Sequence, residues 1–415
     1  MILKLVVEYS TKEKIKKIRR LKEKMGRKKV AILLPWLKMG GTNKVAIRFM
    51  EELIQFCDVT LILSKNEGEL LGEIPKGVRV IIDEMIPFRE MFRRDLKKFR
   101  VGYVIRDLIY YLKVRTKHDN IDNYRYIVKR HPYIVEDMFD CAISYHGQSP
   151  ERLLNLIYRV HSTKKAVWIH GEMSFPEEQC KRMVKYYRKM DRFFFVSNAT
   201  KDVFVQKIPI DLTKTTVYYN RLNGKEIIKK SQEEMDCTFS KDSMNLLTVG
   251  RVSSEKGQDM IPKIVRNLSD KGYLVHWYII GDGPNLNKVK ELINEKNVND
   301  RVTLLGIKNN PYPYMKACDI YIQPSYTEGY STTICEAGIL GKAIIGTRPS
   351  GGIRDQIENG ESGLIVDASI EELEKGIIKL MKNSFLRNKF EQNILKKDFE
   401  GRGEIKKFIN YVENR

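Results

Sequence analysis

Residues 28–53 read KKVAILLPWLKMGGTNKVAIRFMEEL. An apolar run over 30–34 is followed by a glycine turn at Gly40 and Gly41, and then by a helical pattern. Strand, tight turn and helix in that order open a β-α-β unit. Working outward, further short apolar runs occur at VTLILS (59–64), VRVII (78–82), DCAISY (140–145), KAVWIH (165–170), RFFFVS (192–197) and TTVYYN (215–220). Helical stretches separate most of them. Apolar strands alternating with helices predict a parallel sheet covered on both faces.

Residues 221–244 are polar and mixed in charge, and read as a connection. The rhythm then restarts with NLLTVG, LVHWYIIG, RVTLLG, CDIYIQPS, KAIIGT and SGLIVD, each followed by a loop or helix. A second doubly wound domain is expected, closing with helices over 370–382 and 386–411. The expected organisation is a basic amphipathic segment (1–28), a first Rossmann-like domain (29–221), a linker (222–244), a second Rossmann-like domain (245–398) and a closing helical segment (399–415) packed back on the first. Two such domains facing each other make a cleft, and ligands of open α/β sheets bind beyond the carboxyl ends of the strands.

The bulk composition agrees with two globular domains: 415 residues, 42% apolar and 31% charged. No run of 18 apolar residues occurs that could span a bilayer. The stretch MILKLVVEYS is interrupted too early, by Lys4 and Glu8, for a secretory signal. Cysteines 57, 141, 180, 237, 318 and 335 contain no C-x-x-C, which suits reduced thiols in a cytosol better than disulfides or zinc.

The net charge of +21 is concentrated. Residues 1–29 hold 12 Lys/Arg against 3 Glu, and residues 91–118 hold 9 against 2, so two patches carry +16 of the excess. Over 12–25, Ile15, Ile18, Leu21 and Met25 recur at helical spacing among the cations, as in a basic amphipathic helix. Both segments mix cations with aliphatic or aromatic residues, which suits an anionic bilayer surface. A solvated helix face over core residues is the alternative.

Within LLTVGRVSSEKGQDM (246–260) a strand ends at Gly250, Arg251 and Lys256 flank a polar loop, and a helix is expected from about Gln258. Two cations beside a helix N-terminus suit a pyrophosphate; a solvated loop is the alternative. YIIGDGPNLNKV (278–289) is a strand, a turn at Gly281 and a helix, lacking the third glycine of a dinucleotide fingerprint. Tight strand-to-helix packing accounts for it equally well. Further on, Gly306 and Ile307 could let a base approach backbone, or that segment is scaffold.

In TEGYSTTICEAG (327–338), Ser331 or Thr332 can cap a helix. Helical geometry would set Glu328 and Glu336 about 12 Å apart along the axis and roughly 80° apart around it. Glycosidase carboxylate pairs stand ~5–9.5 Å apart, so a shared acid–base site is not expected. Instead, the N–H groups of Gly329, Tyr330 and Ser331 would lack partners within the helix and could face an anion. The glutamates would then accept from hydroxyls on either side. One glutamate satisfying a helix end and one solvated is the alternative.

Five motifs in order, VGRVSSEKG (249–257), GDGP (281–284), LLG (304–306), EGYSTTICE (328–336) and GKAIIGTRPSGGIRDQIENGESGLIVD (341–367), resemble the carboxyl-terminal half of retaining glycosyltransferases of family 4, bacterial surface-polysaccharide type. The resemblance implies an α/β GT-B fold: two facing Rossmann-like doubly wound domains with an interdomain donor cleft. It implies that Arg251 and Lys256 hold the donor diphosphate, Glu336 the ribose hydroxyls and Glu328 the sugar hydroxyls. The backbone of Gly329, Tyr330, Ser331 and Thr332 would lie near the phosphates, with Gly281, Gly306 and Ile307 also lining the donor site. In the first half the likeness is thinner. Gly40 and Gly41 look like the glycine loop beneath the donor phosphates, and His170 stands where such enzymes place a histidine near the sugar. His170, Glu328, Arg251 and Lys256 are thus the implied catalytic residues. FVSNATKD and VYYNRLN resemble the serine- and asparagine-bearing segments. Two positions depart from the pattern: Ser331 replaces a common Pro or Gly, and Asn198 a common Glu.

No D-x-D occurs and no His/Cys/carboxylate cluster has ligand spacing, so neither a metal nor a cofactor is expected. The cations and a helix end would stabilise the leaving diphosphate instead. The resemblance implies retention at the anomeric carbon, with the donor phosphate as base. A hexose or N-acetylhexosamine would pass from a nucleotide sugar, a UDP-sugar in the first instance, to a glycan or polyprenyl-linked acceptor in capsule or other surface-polysaccharide synthesis. The expected setting is cytoplasmic, peripheral on the inner face of the plasma membrane through 12–25 and 91–118, without nucleic acid. A sugar-nucleotide epimerase of the same architecture is a rival, although no acid–base set across the cleft is identifiable. A basic nucleic-acid-binding protein is a remoter one, since the charge is confined to two patches.

Overall fold

The computed structural model describes residues 26–85, 88–116, 120–171, 175–348, 351–401 and 403–414. The helix expected over 12–25 lies outside them, as do residues 117 and 118 of the second basic patch. Two parallel sheets organise what is described.

The first contains β1 (Lys28–Leu34), β2 (Cys57–Leu63), β3 (Arg79–Ile82), β4 (Phe139–Ser144), β5 (Ser162–Ile169), β6 (Arg192–Phe195) and β7 (Thr215–Val217), in the order β3-β2-β1-β4-β5-β6-β7. β1 lies between β2 and β4, with Val30 opposite both Val59 and Cys141. It is buried from Val30 to Leu34. A strand covered on both faces has no use for polar alternation, which explains the unbroken apolar run. The helix Gly41–Leu53 then buries Val45, Ala46, Phe49, Met50 and Leu53 at helical spacing, together with Ile47.

The second sheet contains β8 (Met244–Val249), β9 (Val275–Ile280), β10 (Val302–Gly306), β11 (Ile320–Gln323), β12 (Ala343–Thr347) and β13 (Leu364–Val366), in the order β10-β9-β8-β11-β12-β13. Its described pairings are all parallel. Alternate residues feed two cores. Leu246, Trp277, Ile279, Ile320 and Ile345 enter one; Leu247, Tyr278, Tyr321 and Ile344 enter the other. Two-sided burial of this kind requires helices on both faces, as the sequence pattern predicts.

Three expectations need correction. Residues 222–244 are not a free connection: they contain the helix Gly224–Lys230, and Phe239 is buried with its ring stacked 4.0 Å from Tyr278. One aromatic side chain outweighs the polar composition around it, because it carries most of the area to be buried. The helix expected over 386–411 is two, Ser384–Ile394 and Glu404–Glu413, with Gly401 and Gly403 at positive φ between them. Finally, the described residues form two compact units, one within 1–168, 182–193 and 405–415 and one within 169–181 and 194–404. This division runs through β5 and β6 and not at residue 221, while the first sheet itself extends to β7, which ends at Val217.

In the first unit, Phe408 of the last helix meets Phe49 edge-on, with centroids 5.1 Å apart, and Lys164 Nζ donates to the carbonyl of Tyr411 at 2.6 Å. All six cysteines are free, five of them buried. Among the described residues no helix is long and apolar enough to cross a membrane.

Candidate functional site

In the second sheet β8 is flanked by β9 on one side and β11 on the other. Connections leaving such a switch point run in opposite directions, and ligands of open α/β sheets bind beyond the strand ends there. The site grows from the loops that follow β8 and β11, both in the second unit.

Gly257 lets them touch. Its φ is 69°, and a Cβ there would lie 2.2 Å from the carbonyl oxygen of Pro324, so no other residue fits. The Tyr326 N–H donates to the Glu255 carbonyl at 2.9 Å, lacing the loops together. This brings Lys256 Nζ to 2.7 Å from both carboxylate oxygens of Glu328. The two side chains are 21% and 13% exposed, so their attraction is screened far less than that of a surface pair. Gln323, at the end of β11, supports the carboxylate. Its amide donates to Ser325 Oγ at 2.8 Å and to Glu328 at 3.4 Å, while its oxygen accepts from the Tyr321 and Thr333 hydroxyls.

Arg251 is placed differently. Its guanidinium is 68% exposed and donates to Glu255 at 2.7 Å. Burial pushes the Glu255 carboxyl up, but the neighbouring Ser253 side chain and the Arg251 guanidinium outweigh it and bring the group down to about 2. The α-helix expected from about Gln258 begins instead at Ile261, after two 3-10 turns over Ser254–Lys256 and Gln258–Met260. Pro262, which has no N–H to donate, is pre-set for the first turn of a helix and marks the true start. Lys256 thus sits on a tight turn ahead of the helix, and Arg251 in the irregular loop before that turn.

Gly281 and Gly306 fall at the ends of the neighbouring strands. The Gly281 N–H donates to the Gly306 carbonyl at 2.8 Å. A Cβ on Gly281 would lie 1.9 Å from the Gly250 oxygen, and one on Gly283 would lie 2.3 Å from that of Val252. The GDG turn is therefore required by backbone packing beneath Arg251. Gly306 has φ 66°, and Ile307 after it is exposed.

The turn between the glutamates is capped by Ser331, whose Oγ accepts from the Ile334 N–H at 3.4 Å; Thr332 is the first residue of the helix Thr332–Ile339. One expectation fails here. The Ser331 N–H is not open to an anion, because it donates to the Gln356 side-chain oxygen at 3.2 Å, while the Gln356 amide donates back to the Ser331 carbonyl at 2.6 Å. A buried N–H has to be paired, and Gln356 is fully buried beside it. Gly329 is hemmed in by backbone: a Cβ would lie 2.0 Å from the His170 oxygen. Its carbonyl accepts from Ser197 Oγ at 2.8 Å and Thr200 Oγ1 at 3.3 Å. The backbone of His170 therefore lies directly on the turn. Tyr330 is held well above the usual phenol range by burial and then by Cys335, and its ring faces Tyr219 at 5.5 Å.

Glu336 is buried and accepts from the Tyr312 hydroxyl at 3.3 Å. Burial, reinforced by Glu336, raises the Tyr312 hydroxyl far above its ordinary range, so it remains a donor. Each glutamate thus has a partner of its own, Lys256 for Glu328 and Tyr312 for Glu336. In the first unit, Gly41 opens its helix after the N-cap Gly40, whose carbonyl accepts from the Lys44 N–H at 3.1 Å. Sequence reasoning missed Gln323, Gln356 and Glu255. The Gln356 contact is made 25 residues from its partner, and no local spacing signals it.

Residues 231–397 match the family described as Glycosyl transferases group 1. An uncharacterised glycosyltransferase of Methanocaldococcus jannaschii is 26% identical over 232 residues, 52% of this chain and 57% of that protein. The N-acetylgalactosamine-N,N'-diacetylbacillosaminyl-diphospho-undecaprenol 4-alpha-N-acetylgalactosaminyltransferase of Campylobacter jejuni is 28% identical over 205 residues, 49% of this chain and 54% of that protein. The chain spans little more than half the length of these curated relatives. Among solved structures, Anabaena HepE in complex with UDP and glucose shares the fold with a TM-score of 0.67, at 16% identity over 94% of this chain and 100% of that one. The chain therefore has two Rossmann-like parallel-sheet domains of the GT-B kind, and the match to the glycosyl transferases group 1 family falls on the second.

Proposed function

We propose that this chain is a retaining glycosyltransferase. It moves a hexose or N-acetylhexosamine from a nucleotide sugar, a UDP-sugar in the first instance, to a glycan or polyprenyl-linked acceptor in surface-polysaccharide synthesis. It works without a metal, in the cytoplasm at the anionic inner membrane face. The observation that carries the reading is the Lys256–Glu328 pair at the switch point, under the Ser331-capped turn.

In this reading the donor diphosphate enters beside Lys256 and Arg251, and Lys256 shares its three N–H donors between Glu328 and a phosphate oxygen. Glu328, already oriented by Gln323, accepts from a hydroxyl of the sugar. Glu336, held by Tyr312, would accept from the ribose hydroxyls. As the bond from the anomeric carbon to the phosphate oxygen breaks, negative charge grows on the diphosphate, and the fixed cations stabilise it without reorganising. The acceptor oxygen bonds to the same face of that carbon and passes its proton to the departing phosphate. His170, whose backbone abuts Gly329, would lie near the sugar. HepE's UDP complex and the undecaprenol-linked substrate in the Campylobacter enzyme's name support the choice of donor and acceptor classes.

The test is a panel of nucleotide sugars screened for slow hydrolysis and thermal stabilisation. A UDP-sugar should release UDP, and Lys256→Met should lower kcat about 100- to 1,000-fold, the cost of removing a preorganised electrostatic group. Glu336→Ala should mainly raise KM for the donor. Conversion of the donor to an epimer without UDP release would replace the transferase reading with the epimerase one. No turnover beside tight, salt-sensitive DNA binding would overturn both.

A further inference from the structure

The second basic patch folds into two helices, Phe88–Lys97 and Val101–Thr116, whose charged and apolar residues are sorted by face. On the first helix Arg89, Arg93, Leu96 and Lys97 are exposed, a stripe at i, i+4, i+7, i+8, while Met91 and Asp95 are buried opposite. On the second, Val101, Ile105, Leu108 and Ile109 repeat that spacing and are also exposed. Asp107 lies roughly 150° around the helix from the centre of that stripe and is buried. One helix thus turns cations outward and the other turns aliphatic side chains outward.

The acidic residues are removed from this surface by a third helix, Asn120–Arg130. Arg130 pairs with both Asp95 and Asp107, Tyr126 donates to Asp107, and the Arg130 guanidinium lies 4.6 Å over the Tyr103 ring. Arg89, Arg93, Lys97, Lys98, Arg100 and Arg106 stay exposed against Glu90 alone over 88–110. Between the helices stands Phe99, 88% exposed and at φ 52°, a left-handed conformation that disfavours any residue with a Cβ. The Arg100 N–H closes on the Asp95 carbonyl at 3.0 Å, the wide turn that usually ends in glycine. Strain that presents an aromatic ring to solvent has no packing reason, and points to a partner outside the fold.

We infer that this helix pair is a docking surface for an anionic lipid bilayer, with Phe99 and the Val101–Ile109 stripe entering the headgroup boundary and the flanking cations meeting lipid phosphates. An outward face with six cations and one acid selects an anionic partner, and side-by-side cationic and apolar stripes fit an interface with charge above and hydrocarbon below. The geometry stands by itself. It rests on the proposed function only for what the membrane brings, a lipid-linked acceptor.

The test is sedimentation of the full chain with phosphatidylglycerol-containing vesicles against pure phosphatidylcholine ones. Binding should require the anionic lipid and weaken with salt. Phe99→Glu and Ile105→Glu, and separately Arg93→Glu with Lys97→Glu, should each lower partitioning about tenfold or more. Their circular dichroism and nucleotide-sugar hydrolysis should match the parent chain, since none of these residues belongs to the donor site. Undiminished binding in these variants would move the contact elsewhere in the chain and overturn the inference. So would equal binding to neutral vesicles, or a concentration-dependent dimer abolished by Phe99→Glu. Vesicle binding lost in the variants of a protein that hydrolyses no nucleotide sugar would keep this surface and sink the transferase reading.

Discussion

Ser331 is one of the two residues at which this chain leaves the pattern it resembles, and the structure shows what accompanies the change. A proline in that place would have no N–H. Serine has one, it is buried, and Gln356 satisfies both it and the adjacent carbonyl. The two residues should therefore behave as a unit. Gln356→Leu orphans a buried donor and acceptor and should cost about 1–3 kcal/mol. Ser331 has φ −78°, which proline can adopt, so Ser331→Pro in the same chain removes the orphaned donor. In a denaturation cycle the double variant should lose less than the sum of the singles, by about 1 kcal/mol or more. Strict additivity would show that the two do not act together. Neither Ser331 nor Gln356 is conspicuous locally. Only the folded chain reveals that one answers the other.

At the scale of the element, the loop after β8 is a set of turns held by its own ion pair. Glu255 gives its carbonyl to Tyr326 and its carboxylate to Arg251. Because the folded-state acidity of Glu255 is depressed from 4.5 to about 2, the stability it contributes is complete above about pH 4.5 and drains as pH falls toward 2. Glu255→Gln lacks that contribution at every pH. The stability gap between parent and variant, read from urea melts, should be widest near neutrality and close across that acid window. A gap that stays constant down to pH 2 would mean that the Arg251 pairing does not matter. The pattern of a strand followed by two cations was legible in the sequence, as was a capped helix after TEGYS. The 3-10 turns were not, because their residues have no period that a helix start would lack. Nor was the reach of Lys256 to Glu328, 72 residues away, which depends on Gly257 letting two loops touch.

At the scale of the whole molecule, each sheet was readable in outline and each boundary was not. Apolar runs such as VAILL and NLLTV announce strands buried on both faces, and their alternation with helices settles the α/β class. Closure of the first unit came from a distance. Phe408, in the last helix, lies against Phe49 and near Trp168, more than 200 residues away in the chain. Phe408→Ala should cost that unit about 3–5 kcal/mol, as emptying a core aromatic site does. Hydrogen exchange should place the loss in the helix Gly41–Leu53 and β5, and leave β8 to β13 protected. Unchanged protection there would mean that the last helix is not part of the first unit's core.

The sequence by itself determined two parallel sheets, the strands and loops that carry the candidate site, and the pairing of charge with apolar residues in the basic patches. These are local quantities, written in period, turn chemistry and composition. Only the tertiary structure decided that Lys256 answers Glu328, that Gln356 occupies the Ser331 N–H, and that Arg130 draws the acids of the second patch inward. Each of those depends on groups far apart in the chain meeting at van der Waals or hydrogen-bond distance. No periodicity within a single segment encodes such a meeting.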